Sequence, residues 1–377
     1  MSNTLTGLIP TIYTALNRVS REQVGFIPAV ARNAKADAAA KDQTVTAPVA
    51  PKTTTVDITP AATAPNDGDQ NIGTVDVKIT KSKMAPVKWN GEEQLAIGPS
   101  GTYDVVLADQ FSQAFRALSN EMDADLASLA YKSSRAVGAP KDTPFSVKDD
   151  LSDAANARQV LTDNGAPTTD LRMVLGGEAM ASIRGKQSVL FKANEAGTDQ
   201  LLREGIIGRV MGFNLHESAN IKRTAKSTAA GYKVNGEKKE GDIIIAISAG
   251  TGGIAAGTAV KFDGDDNQYM VVAATSSTIT IGAPGLRQDL ADQATVTVLS
   301  EFVPVAFDRN AFLLACRTPA MPKGGDTADD VMNVTDPVSG ITFQIALYRQ
   351  YRQVRYEVGV AWGVASVQPE HSTIIMG

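Results

Sequence analysis

The chain has 377 residues, 43% of them hydrophobic and 20% charged, with a formal net charge of −5. That length suits roughly two to three domains with packed cores, and the composition excludes wholesale disorder. The negative balance gives no whole-chain attraction to nucleic acid; the single cysteine, Cys316, excludes an internal disulfide or a cysteine metal cluster; and no apolar run reaches the ~18 residues of a membrane span.

The chain opens on "MSNTLTGLIPTIYTALNRV", without a basic n-region or a cleavage site, so it is not read as a signal peptide. Leu8, Ile12, Ala15, Leu16 and Val19 recur at helical spacing and predict a short amphipathic helix that docks on the body or on a neighbour. Residues 34–70 are rich in Ala, Thr and Pro. The runs "TTTVDIT" and "GTVDVKITKSKMAPVKW" within and after this stretch predict two strands of a long hairpin with a polar tip. An isolated hairpin is marginal in water. Neither it nor the N-terminal segment carries enough apolar area to order itself, so both are expected to need another surface.

From Tyr103 to Lys132 there is no Gly or Pro, and Leu107, Phe111, Phe115, Leu118, Met122, Leu126 and Leu129 form one apolar stripe. The spacing predicts one helix of about 28 residues, about 42 Å long, lying across a sheet. "SVKDDLSDAANARQVLTDNG" predicts a second helix, from a Ser146 cap to Gly165. "LRMVLGG" predicts a buried strand, "EAMASIRGK" a short helix, and "TDQLLREGIIGRVMGFNLHES" a helix followed by a strand. The mixture indicates an α+β domain.

Between residues 224 and 300, "DIIIAI", "TAVKF", "QYMVVAA", "STITIG" and "ATVTVLS" read as five short strands of an inserted barrel or sandwich. Helical character is expected to return at "FDRNAFLLACR". Near the end, Ile341, Phe343, Ile345 and Leu347 alternate, as do Tyr356, Val358, Val360, Trp362 and Val364, predicting two long strands around the basic tip "YRQYRQVR".

Chemical motifs are sparse. Gly250, Gly252 and Ala255 fit the dinucleotide spacing G-x-G-x-x-A, but the following residues predict strand, turn and strand where a helix is required. "DGDDN", Asp263–Asn267, lacks the glycine and the closing glutamate of a calcium loop. The two histidines, His216 and His371, have no nucleophile or orienting carboxylate placed beside them by motif. The expectation is a protein with no catalytic, cofactor-binding or metal residues, and not an enzyme. The cluster Arg349, Arg352 and Arg355 allows three readings: a solvated hairpin tip, ion pairs with carboxylates of neighbouring subunits, or contacts to nucleic acid phosphates.

The order of these parts resembles the major capsid (coat) protein of tailed double-stranded DNA bacteriophages, the HK97-type fold, and most nearly the coat-protein family of short-tailed Salmonella-type phages. The likeness is carried by "MSNTLTGLIPTIYTALNRVSREQVGFIPAV", "EFVPVAFDRNAFLLACRTPAMP", "YEVGVAWGVASVQPEHSTIIMG" and the insert "KKEGDIIIAISAG…NQYMVVAATSSTITI". The resemblance implies an α+β capsid fold: a long spine helix on an antiparallel sheet, an axial α+β domain, an extended hairpin loop, an N-terminal arm and an inserted small all-β barrel. It implies an arm over 1–46, an extended loop over 47–97, a peripheral domain over 98–145 and 331–366, an axial domain over 146–223, 301–330 and 367–377, and the insert over 224–300. It further implies a structural subunit of the virion capsid, made and assembled in the bacterial host cytoplasm as pentamers and hexamers of an icosahedral head. The implied partners are further copies of itself, a scaffolding protein, a portal, decoration or head-completion proteins, and packaged double-stranded DNA without sequence specificity; no cofactor and no membrane are implied. Arg349, Arg352, Arg355, Leu8, Ile12, Leu16, Lys81 and Lys83 are then the candidates for contacts between subunits. The rival readings are another virion part, a tail-tube or decoration protein, and a nucleotide-dependent enzyme resting on "GTGGIA".

Overall fold

The computed structural model describes residues 12, 15, 25–49, 55, 57, 58, 60, 73–97, 102–138, 143–187, 208–221, 228–248, 250–299, 304–322, 328–336 and 339–376. Its longest element is the predicted spine helix, Thr102–Ser128, of 27 residues, which runs into a 3-10 turn at Ala130–Lys132. All seven residues of the apolar stripe are buried, from Leu107 at 0% exposure to Leu129 at 7%. At about 1.5–3 kcal/mol for each side chain, the stripe contributes on the order of 10–20 kcal/mol of gross apolar burial.

The stripe lies across a six-stranded sheet whose centre is the strand Gln353–Ser366. That strand pairs with Lys81–Asn90 on one side, and with Thr342–Gln350 and Phe312–Pro319 on the other. Asp330–Thr335 and Ala31–Ala39 close the outer edge. Edge-on ring pairs join helix to sheet: Phe111 with Tyr356 at 5.5 Å and Phe115 with Phe343 at 5.1 Å between centroids. The alternating residues Phe343, Ile345 and Leu347, and Tyr356, Val358, Val360 and Trp362, supply the inner face of the sheet.

A second sheet has 11 strands. The last strand, Ser372–Met376, lies between Val305–Asp308 and Arg135–Gly138. Leu171–Leu175 and Phe213–Glu217 extend it, and the helices Ser152–Asp163 and Gly177–Lys186 cover one face. Residues 198–207, expected to be helical, lie outside the described residues. The five strands expected between residues 224 and 300 are Ile244–Ala246, Ala259–Phe262, Gln268–Ala274, Thr278–Ile281 and Val296–Leu299. The bridges Val234↔Ile247 and Lys233↔Thr295 link the outer two of these strands into a ring around a separate core containing Phe262, Tyr269, Val271 and Ile279. Gln268 and Tyr269 pair with Ala136 and Arg135, so this ring continues the 11-stranded sheet.

Four expectations are corrected. "FDRNAFLLACR" is not helical: it ends one strand, makes a 3-10 turn at Arg309–Ala311 and enters the strand Phe312–Pro319. Its continuous apolar run arises because both faces are covered. Phe312, Leu314 and Cys316 join the spine-helix core, while Leu313 and Ala315 pack under Val77 and Ile79. Burial on both faces erases the period of two that marks a strand.

The second correction concerns the hairpin. The strand Gly73–Lys78 pairs with Thr44–Val49, whereas most of the "TTTVDIT" run expected as its partner lies outside the described residues. The sequence after Thr80 leaves the hairpin altogether and joins the main sheet as Lys81–Asn90. Third, the second helix starts at Ser152, six residues after the expected cap. The Asp153 carboxylate accepts from the Phe145 amide at 2.8 Å and Asp150 from the Ser152 amide at 2.8 Å, which holds residues 145–150 in turns. Fourth, residues 25–39 of the N-terminal segment do order on their own chain. Phe26, Ile27, Ala29 and Val30 are at most 1% exposed, and Ala31–Ala39 runs parallel to Phe312–Pro319.

Candidate assembly surfaces

The hairpin formed by the two long C-terminal strands ends in a two-residue turn, Tyr351–Arg352, closed by pairing of Gln350 with Gln353. Arg352 has φ +55°, and its guanidinium lies over the Tyr351 ring at 5.7 Å. Tyr351 is 88% exposed. The Arg349 amide donates to the Asp329 carboxylate at 2.6 Å. Arg355 is paired with Glu357 at 2.7 Å. The three arginines predicted from sequence are therefore not equivalent. Arg355 is committed to a carboxylate of its own strand, whereas Arg352 sits at the extremity.

Beside this tip runs a groove of about 740 Å3 lined by Trp89, Gly91, Glu92, Arg349, Tyr351 and Arg352. Its other wall carries the short helix Gly91–Ile97. Asn90 and Glu93 hold the start of that helix by reciprocal side-chain-to-amide bonds of 2.7 and 3.0 Å, a capping box. Leu95 on the same helix is 79% exposed. Arginine and a large aromatic group, exposed together beside a concavity, are the residue types enriched in protein contacts.

Lys81 and Lys83 lie just beyond the root of the hairpin, at the start of the strand Lys81–Asn90, and face the spine helix. Lys81 Nζ lies 2.9 Å from Glu121 and 2.7 Å from Asp125; Lys83 Nζ lies 2.5 Å from Glu121. Asp125 also accepts from the Trp362 indole at 2.9 Å. Burial pulls the Lys81 pKa down, but its bonds to Asp125 and Glu121 outweigh this and hold it above its ordinary value. The pair thus clamps the root of the hairpin to the helix. The Thr80 amide donates to the Trp362 carbonyl at 3.1 Å, and a Cβ at Gly363 would collide with the Lys78 carbonyl. That close approach explains the glycine in an otherwise bulky strand.

Leu8 and Leu16 lie outside the described residues. Ile12 is fully buried in the core beneath the spine helix, so its side chain is engaged by its own chain. Sequence reasoning passed over another residue, Asp123. It is fully buried on the spine helix. One carboxylate oxygen accepts from the Phe26 amide at 2.8 Å; the other accepts from the Ser218 hydroxyl and from Asn220 Nδ2 at 3.0 Å. Burial raises its pKa, against the opposing effect of these donors. Its signal in the sequence was an acidic residue three positions before Leu126, on the flank of the apolar stripe.

The remaining motifs have structural roles. No helix follows Gly250 and Gly252; a Cβ at Gly250 would strike the Tyr232 ring, and Thr251 bridges to Ala230. Asp265 accepts from Asn267 and, at 2.6 Å, from the Tyr269 hydroxyl, which makes Asp263–Asn267 a self-bonded turn. His216 contacts Arg172 at 3.3 Å, and its pKa is pushed down to about 4, first by burial and then by Arg172. His371 bonds Gln368 at 3.0 Å. Burial pushes the Cys316 thiol up to about 12. Among the described residues no group of His, Cys, Asp and Glu could hold a metal ion, and no helix is long and apolar enough to cross a membrane.

A capsid chain of cyanophage P-SCSP1u superposes on this architecture with a TM-score of 0.50 and 10% identity, over 94% of this chain and 88% of that one. The chain has a phage-capsid fold. A chain of Mycobacterium phage Che8 aligns at a TM-score of 0.48 and 17% identity, covering 94% of this chain and 91% of that one. A virus-like particle from Pyrococcus furiosus aligns at 0.44 and 9% identity, covering 97% and 96%. No protein-family model and no curated protein matches the sequence.

Proposed function

We propose that the chain is the major capsid subunit of a tailed double-stranded DNA phage, a structural rather than catalytic protein. The observation that carries this reading is the spine helix lying across the six-stranded sheet, with a two-stranded hairpin projecting from the sheet's root, in the fold of a capsid chain. Pentamers and hexamers of the chain would close an icosahedral head, built in the host cytoplasm on a scaffolding protein and filled with DNA through a portal. Many modest interfaces repeated by symmetry hold such a shell without any single strong bond. In this reading residues 1–46 are the arm, 47–97 the extended loop, 98–145 with 331–366 the peripheral domain, and 146–223 with 301–330 and 367–377 the axial domain. The ring of strands within 224–300 is the inserted barrel, the feature that favours the coat proteins of short-tailed Salmonella-type phages.

The arginine tip is assigned to contacts between neighbouring peripheral domains. Arg352 beside exposed Tyr351, with Arg349 in the same groove, supports this assignment. Expression with the cognate scaffold, followed by negative-stain microscopy, tests the function: closed shells are expected, and only monomers and small rings across many conditions would reject it. Replacing Arg349, Arg352 and Arg355 together by Ala should abolish shells while leaving the circular dichroism and melting of the subunit near wild type. Normal shells with unchanged salt tolerance would reject the role of the tip.

A further inference from the structure

We propose that residues 25–30 form a lid on the spine helix, and that the turn at Ser218–Asn220 controls its closure through the buried carboxylate of Asp123. The lid has two kinds of grip. One is apolar: Phe26, Ile27, Ala29 and Val30 are buried, and Phe26 stacks on Phe307 at 6.3 Å. The other is polar, and it is shared. The Asp123 carboxylate takes the Phe26 amide on one oxygen and Ser218 with Asn220 on the other. Asn220 is itself held to Asn120 Oδ1 at 2.9 Å, one helical turn before Asp123. The lid also rests directly on the turn, because a Cβ at Gly25 would meet the Glu217 carbonyl at 2.5 Å and the Ser218 Cβ at 3.0 Å.

The coupling follows from the cost of burying a carboxylate. With the lid closed, Asp123 has no exposed surface and depends on protein donors. With the lid lifted, water reaches the group the lid covered and serves it instead. Removing the Ser218 or Asn220 donor therefore penalises the closed state and leaves the open state almost untouched. A change at the turn is felt in the lid although Ser218 and Asn220 make no hydrogen bond to it in this structure. A partner that draws the turn aside would release the arm by the same route, whatever that partner is.

Hydrogen–deuterium exchange on the full chain tests this, comparing peptides from 26–34 with peptides from the distant strand Gln268–Ala274. Ser218→Ala and Asn220→Ala should each raise exchange in 26–34 roughly tenfold relative to 268–274, since a lost hydrogen bond to a buried charge shifts a local opening equilibrium by about that factor. Taking the ratio between the two regions removes any global loss of stability. The effect of Ser218→Ala should shrink to less than about twofold in an Asp123→Asn background, where no buried charge remains to be satisfied. An unchanged ratio in both single variants overturns the proposal. So does a Ser218→Ala effect that persists undiminished in the Asp123→Asn background.

Discussion

The run from Gly73 to Asn90 contains two strands of similar composition with opposite fates. Lys81–Asn90 pairs along the central strand of the main sheet, and its Val87 and Trp89 side chains are buried beneath the spine helix. Among the described residues, Gly73–Lys78 pairs with no strand but Thr44–Val49, and in it only Val77, next to the root, is buried. Between them the backbone is pinned at Ile79 and Thr80, to the Gln43 carbonyl at 2.9 Å and the Trp362 carbonyl at 3.1 Å. Propensity made both segments strands; the surface available to each decided whether it became core or limb.

Four measurements would break or sharpen that contrast. The largest effect belongs to the covered side: Phe115→Ala, at a fully buried ring edge-on to Phe343, should lower unfolding stability by about 3–5 kcal/mol in urea titrations. A loss below about 1 kcal/mol would mean that the helix–sheet seam is not the core. Next is the clamp at the root. Asp125→Ala strands the Trp362 indole and one bond of Lys81, and should cost about 2–3 kcal/mol. The same variant should speed amide exchange in Gly73–Lys78 more than in Lys81–Asn90; equal acceleration in both would remove Asp125 from the control of the hairpin root.

The third concerns pH. His216 is held neutral in the fold, with its pKa near 4 against 6.5 in the unfolded chain. Stability from His216 is thus present above pH 6.5 and is lost as the pH falls toward 4. His216→Asn should flatten the stability profile across that window by about 1 kcal/mol, a value reduced for partial solvent exposure. A profile as steep as wild type would place the titration elsewhere. The smallest effect belongs to the limb and the tip. Val75→Ala in the hairpin and Arg352→Ala in the turn should each leave unfolding stability within about 0.5 kcal/mol. A cost above about 2 kcal/mol for Val75→Ala would show the hairpin to be part of the folded core of the isolated subunit.

Legibility in the sequence tracked how local the cause was. The seven-residue stripe of the spine helix could be read position by position, as could the alternation in the two C-terminal strands and the five strands after residue 240, because each is a periodicity within one segment. Arg349, Arg352 and Arg355 were visible as a cluster, but their inequality was not: Arg355 is tied to Glu357 by the register of its own strand. Lys81 and Lys83 drew notice as hairpin lysines, yet their carboxylate partners lie on the spine helix. Asp123 escaped notice because its donors, among them Phe26, Ser218 and Asn220, lie far from it along the chain.

By itself, then, the sequence determined the spine helix, the alternation of the two long C-terminal strands and which of their side chains seek an interior, since those preferences are written in spacing and side-chain chemistry. The tertiary structure alone decided that Phe312–Pro319 is a strand, that Thr44–Val49 is the partner of Gly73–Lys78, and that an aspartate of the spine helix is fully buried. In each case the stabilising partner is supplied by a distant part of the chain, and no local pattern carries the identity of a neighbour that folding has yet to bring.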